Sequence, residues 1–269
     1  INLTTGQFIN PNKSASDTTK KDSIIRTLNA LTIYGYNHNN GEYNGGDSCA
    51  WALSSFENGS CSNWGNPQSE MFLESLRYLA GKSVSDAFNS NDSSRVTGMA
   101  TATWAAPVNA NNYCAPLNIL QFNASTSSYD TDELDGASEI GITDLDSLVN
   151  HIGTAEAISG QYFVGKAGTS NDDELCTPKT VSNLSSVKGT CPDAPRLEGG
   201  YQIAGLAYGA RKNGIQINNL ASSINGKTID NTPSVHTYAV ALAPAVPKVE
   251  VPVPGSTTGK TVTILPACR

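Results

Sequence analysis

Six cysteines, three histidines and two short acidic runs are the side chains of this sequence best suited to chemistry. The cysteines are Cys49, Cys61, Cys114, Cys176, Cys191 and Cys268. No two have CxxC spacing, so neither a zinc site nor a dithiol redox site is indicated. An even number at wide spacing, in a chain rich in Asn, Ser, Thr and Gly, points to disulfides formed in an oxidising compartment. Cys49–Cys61 and Cys176–Cys191 each enclose a polar loop. Closing a loop of about 15 residues is worth roughly 3 kcal/mol in chain entropy. Cys114 and Cys268 then pair by elimination, unless Cys268 stays free or bonds to a residue outside this chain.

The histidines, His38, His151 and His236, lie far apart in sequence, and Gly-x-Ser-x-Gly does not occur. A Ser/His/Asp hydrolase therefore has no motif to rest on, and the chain reads as non-enzymatic. No phosphate-cradling Gly-x-x-x-x-Gly-Lys-Ser/Thr is present. The acidic run Asp130-Thr131-Asp132-Glu133-Leu134-Asp135-Gly136 superficially resembles a calcium loop. Counted from Asp130, however, position five is Leu134, position six Asp135 and position twelve Gly141, where an EF-hand needs Asp/Asn, Gly and Glu. It reads as a solvated acidic turn, as does Asn171-Asp172-Asp173-Glu174. The net charge is −7 and the longest basic cluster is Lys20-Lys21, which argues against nucleic acid as a partner. No stretch approaches the ~20 apolar residues of a membrane span, so membrane insertion is not expected.

Contact chemistry is better represented. Tyr34, Tyr36, Tyr43, Trp51, Phe56 and Trp64 cluster in and around the first cysteine loop. Tyr and Trp give large contact areas at low entropic cost, so these six are candidate interface residues. The competing reading packs Trp51 and Trp64 beneath the Cys49–Cys61 bridge as a satellite core.

The elements that must carry these residues follow from periodicity. Ile24, Ile25, Leu28 and Leu31 predict a helix over 19–32. Pro67 opens a helix that runs to Ala80 and stops at Gly81, with Met71, Phe72, Leu73, Leu76 and Leu79 as its buried face. Leu117 to Phe122 reads as a buried strand, 144–151 as a short helix capped by Thr143 or Asp144, and 199–211 as a helix stopped by Asn213-Gly214. A strand is expected over 234–243. Val249–Val253 and Thr261–Leu265 are read as a hairpin within 245–267. Long polar stretches at about 34–66, 82–113 and 166–197 read as insertions, the second with a short strand near Met99 to Val108. Helices alternating with apolar strands predict one α/β domain over 1–269 with a parallel sheet. Ile1, and Arg269 directly after Cys268, read as the ends of a piece of a longer protein.

Four blocks, in order along the chain, resemble the N-terminal region of the PilC/PilY family, the large adhesins at type IV pilus tips. The first is Ser62-Asn63-Trp64-Gly65-Asn66-Pro67, with Glu70-Met71 and Glu74 to Lys82. The second is Tyr113-Cys114-Ala115, the apolar strand after it, and Ser128-Tyr129-Asp130-Thr131-Asp132. The third is Gly199-Gly200-Tyr201 with Gly205-Leu206-Ala207-Tyr208. The fourth is His236 to Ala243 with Pro247 to Val253. The resemblance implies a von Willebrand factor A-like doubly wound sheet with ligands at the carboxyl ends of its strands. It also implies an extracellular place at the pilus tip after export through the periplasm. The implied partners are minor pilins, a host receptor, matrix protein or abiotic surface, and the rest of the adhesin with its C-terminal β-propeller. Many such domains bind a divalent cation, Mg or Ca. Here Asp-x-Ser-x-Ser is missing, Asn66 stands at the expected Thr position, and Ala124-Ser125 replaces the Asp-Gly of a third loop. Hard cations need oxygen ligands, so no metal or other cofactor is expected at these degenerate positions.

Overall fold

A computed structural model describes residues 5, 36–37, 42–43, 65–89, 103–124, 126–168, 172, 175–190, 199–242, 249–255 and 259–264. The chain divides into two compact units, Ile1–Ser48 with Val84–Trp104, and Cys49–Ser83 with Ala105–Arg269, where the sequence reading treats 1–269 as one domain with insertions. In the first unit β1 (Tyr36–Asn37) pairs antiparallel with β2 (Glu42–Tyr43), Tyr36 opposite Tyr43. The helix expected over 19–32 lies outside the described residues.

The second unit starts with helix α1 (Gln68–Leu79). Pro67 precedes it, a position where the missing N–H costs nothing, and the Pro67 carbonyl accepts from Met71 N–H at 3.0 Å. Phe72, Leu73 and Leu76 are buried, whereas Met71 is exposed on the opposite side, correcting its place in the expected inner face. Strand β3 (Leu117–Asn123) runs parallel to β9 (Val235–Ala241) in unbroken register from Leu117 opposite Val235 to Asn123 opposite Ala241. A parallel pair needs a long crossover. This one holds a 3-10 turn (Asp135–Ile140), α2 (Leu145–Ala155), a second sheet and α3 (Gln202–Lys212). One face of the pair presents Leu117, Ile119 and Val235 to a core containing Phe72, Leu73, Leu76, Ile140, Leu206, Ala210, Ile215 and Ile217.

Helices α2 and α3 pack closely because α3 offers glycines one turn apart: a Cβ at Gly205 would sit 2.5 Å from Val149 Cγ2. Helix α3 ends as the sequence predicts. Gly214 has φ +76°, and a Cβ there would fall 1.9 Å from the Thr232 carbonyl oxygen, so only glycine fits. The chain then returns past the core, Gln216 N–H donating to Ile140 O at 2.9 Å and Asn218 N–H to Ala80 O at 2.7 Å.

A separate antiparallel sheet has the order β5 (Thr177–Val181), β4 (Gly160–Lys166), β6 (Lys188–Thr190). The stretch 166–197, expected to be a polar insertion, thus contributes two strands, and β4 carries no clear periodic signal. Pro178 is tolerated because β5 is an edge strand. A small core of Val149, Val164, Val181, Leu184 and Val187 lies beneath this sheet. The Lys179 ammonium, although buried, donates to Val164 O, Leu175 O and Thr177 Oγ1 at 3.0, 2.8 and 2.8 Å. Short β7 (Ser223–Ile224) and β8 (Lys227–Thr228) form a small antiparallel ladder. Near the end of the chain β10 (Val249–Pro252) pairs antiparallel with β11 (Thr261–Ile264). Of the strand expected near Met99 to Val108, the described residues from 103 onward form turns and irregular backbone, with Val108 buried.

Candidate functional site

The carboxyl end of β3 meets the N-terminus of α1, and there the sequence places its degenerate cation-site positions. Asn66 is tied down on every polar atom. Its Nδ2 donates to Asn123 Oδ1 at 3.0 Å and to Thr126 O at 2.9 Å, and its Oδ1 accepts from Gln68 Nε2 at 2.6 Å. Its backbone exchanges hydrogen bonds with Ser128 at 3.3 and 3.0 Å. Gln68 in turn accepts from Gln121. Ala124 is exposed and adds only a methyl group. These bonds join the end of β3 and the segment after it to the start of α1, so the cluster works as a lock between the two elements.

Directly beneath it lies a residue that sequence reading assigned to a solvated turn. Asp130 is fully buried. Its Oδ1 accepts from Ser69 N–H at 2.5 Å and Glu70 N–H at 3.3 Å, and its Oδ2 from Ser69 Oγ–H at 2.8 Å. Ser69 Oγ also accepts from Ile203 N–H at 3.0 Å. One carboxylate therefore supplies the cap that Pro67 cannot give to α1, and through Ser69 it holds the start of α3. Helix N-termini attract carboxylates, and Ser69-Glu70 after Pro67 marks such a terminus. Nothing local reveals that its partner is 61 residues away.

Burial pushes the Asp130 carboxyl up to about 6, with Asp132 adding to it and the Ser69 and Glu70 hydrogen bonds opposing. Burial likewise pushes Glu70 up to about 7, helped by Asp132 and Asp130 and opposed by the Glu133 N–H bond. Both folded values lie above those of the unfolded chain. Between about pH 4 and 7 the folded protein thus holds more protons, and its stability is fullest below that window and falls as pH rises through it. Acidification from pH 7.5 to 5 is expected to stabilise the chain by on the order of 2 kcal/mol, and Glu70→Gln to remove much of that dependence. Urea unfolding at a series of pH values measures this; a flat or opposite dependence in the unsubstituted chain contradicts it.

The other notable surface is the second face of the β3–β9 pair. Leu120 (69% exposed) stands beside Tyr238 (59%), Phe122 (57%) beside Val240, and Leu242 (64%) follows at the strand end. This corrects the expectation that Leu117 to Phe122 is buried throughout. Large contiguous apolar patches mark interaction sites, and parallel sheets are normally covered on both faces.

The cysteines divide. Cys176 is disulfide-bonded, while Cys49, Cys61, Cys191 and Cys268 lie outside the described residues. Cys114 is an exposed free thiol in the turn before β3, so its pairing with Cys268 by elimination is corrected. Of the candidate interface aromatics, Tyr36 and Tyr43 are register partners in the β1–β2 pair; Tyr34, Trp51, Phe56 and Trp64 lie outside the described residues, as does His38. His151 stacks on Tyr208 at 5.1 Å, with Lys212 5.1 Å over the same ring, and His236 lies within β9. Among the described residues no helix is long and apolar enough to cross a membrane.

A family model described as "PilY1 homolog, second domain" matches residues 1–210. A curated relative, the type IV pilus biogenesis factor PilY1 homolog of Xylella fastidiosa (strain Temecula1), is 32% identical over 279 residues, covering 94% of this chain. The chain spans 17% of that relative's length. No solved structure matches.

Proposed function

The chain belongs to the PilY1 homolog family, matching the model of its second domain, and from that premise we propose that it serves a type IV pilus by binding rather than by catalysis. In this reading it is an extracellular module at the pilus tip. The outer face of β3–β9 docks a minor pilin during pilus assembly, and the aromatic segment around residues 34–64 contacts host cells, matrix proteins or abiotic surfaces. The single observation that carries the reading is the unpaired apolar row Leu120, Phe122, Tyr238, Val240 and Leu242. Fully burying one such side chain is worth about 1.5–3 kcal/mol, so a row already half exposed offers several kcal/mol to a partner. The relative's name, a pilus biogenesis factor, supports a pilin as that partner. No cofactor is needed for such docking.

The alternative is a purely structural or mechanosensing module within the tip complex. It is favoured by the parallel pairing itself, which ordinarily goes with permanent cover. The cover would then come from the remainder of a longer protein, completing a von Willebrand factor A-type doubly wound sheet. Biolayer interferometry with purified minor pilins separates the two. Saturable binding of the chain to a pilin is the expected result; no binding at any pilin concentration reached, together with cover supplied in the longer protein, sinks the docking reading.

A further inference from the structure

A groove of about 470 Å³ runs between the acidic turn after Asp130 and the start of α2. Its apolar part is made by Leu134, Ile142 and Leu145, and three carboxylates, those of Asp135, Asp144 and Asp146, stand along it. No basic side chain lines it. A second, independent feature lies at its wall. Gln202 is 5% exposed, and its Nε2 is fixed by donating to Ser185 O at 3.1 Å. Its Oε1 is buried with no hydrogen-bond partner, and so is the hydroxyl of Thr131, another residue of the groove lining. A buried amide oxygen without a donor is costly, and in a binding site it marks the place where a ligand supplies one.

We propose that this groove binds a lysine or arginine side chain of a partner polypeptide. Such a side chain matches both parts of the groove: an aliphatic stem for Leu134, Ile142 and Leu145, and a charged head with several N–H donors for the carboxylates and the two unsatisfied oxygens. A bare divalent cation matches less well. It has no use for the apolar surface, and no three acidic, histidine or cysteine side chains among the described residues converge as metal ligands do. Asp144 is partly committed, since it accepts from Ser147 N–H at 3.1 Å as the cap of α2; Asp135 and Asp146 are the free pair.

The test uses the 269-residue chain and a fluorescent tetra-arginine peptide with blocked ends, followed by anisotropy at low salt. Asp135→Asn with Asp146→Asn is expected to weaken binding about tenfold or more. Asp86→Asn with Glu156→Gln, the same change in net charge made elsewhere, is expected to change it by less than about twofold. Thr131→Val, which alters no charge, is expected to weaken it by a factor of about three. Equal losses from the two double variants mean general attraction to an acidic protein and overturn the proposal. So does displacement of the peptide by calcium beyond that by sodium at equal ionic strength, which makes the groove a metal site. All four substituted carboxylates are exposed, and unchanged thermal midpoints verify that the fold is intact.

Discussion

Asp130→Ala is expected to lower the unfolding free energy by about 3–5 kcal/mol, enough to leave a domain of ordinary stability close to unfolding. The loss comes from what the carboxylate leaves behind. Ser69 N–H and Glu70 N–H at the start of α1, and the Ser69 hydroxyl, all donate to it. Both Ser69 and Glu70 are buried, so water does not replace the missing acceptor without opening the helix start. Asp130→Asn separates hydrogen bonding from charge. The asparagine oxygen still accepts from both backbone N–H groups, but its amide nitrogen cannot accept the hydroxyl proton of Ser69, which already accepts from Ile203 N–H. A loss of about 1 kcal/mol is expected, offset in part because a neutral side chain avoids the burial cost that raises the Asp130 pKa. Urea denaturation at pH 7 ranks the three proteins. Alanine no worse than asparagine would show that the carboxylate is not the helix cap.

The second large effect concerns binding. Leu120→Lys combined with Val240→Lys is expected to weaken pilin docking by at least about 100-fold, or roughly 3 kcal/mol. The two positions lie diagonally across β3 and β9 on the outer face. An ammonium group trapped in an apolar interface loses its hydration without gaining a partner, which costs several kcal/mol. Both side chains are exposed in the free chain, so stability is expected to change by no more than about 0.5 kcal/mol. Biolayer interferometry on the pilin and thermal unfolding of the double variant read the two quantities. Undiminished pilin binding places the docking surface elsewhere.

The helices on which these predictions rest are legible in the sequence because their signals are local. Pro67 and Gly81 bracket α1, and Asn213-Gly214 stops α3 where a side chain would strike Thr232. What failed to show was decided at a distance. The run from Leu117 to Phe122 is apolar at four of its six positions, Leu117, Ile119, Leu120 and Phe122, and Leu120 and Phe122 fall on the opposite face from Leu117 and Ile119; in a chain viewed alone this reads as a buried strand. In the fold one face meets α1 and α3 and the other meets nothing in the described residues. Met71 is apolar and sits in the predicted stripe, yet it falls outside the arc that reaches the core. Asp130 looks like its neighbours Asp132 and Glu133, and only the approach of α1 makes it a buried cap. The sheet of β4, β5 and β6 is hidden by polar residues and by Pro178, which an edge strand tolerates. The hydrogen bonds that turn Asn66 into a structural lock reach Asn123 and Thr126, far along the chain, and leave no local signal in the sequence.

The claim that the outer face of β3–β9 receives a pilin is tested most directly by thiol protection. Phe122→Cys in a Cys114→Ser background removes the exposed free thiol found among the described residues and puts a reporter at the centre of the face, with the Cys114→Ser chain alone as the labelling blank. Maleimide labelling is timed in the chain alone, in the longer protein, and in each with minor pilins added. The account predicts rapid labelling of both without pilin, slowing in step with pilin occupancy. Labelling at an unchanged rate when pilin binding is saturated, or protection complete in the longer protein before any pilin is present, contradicts it.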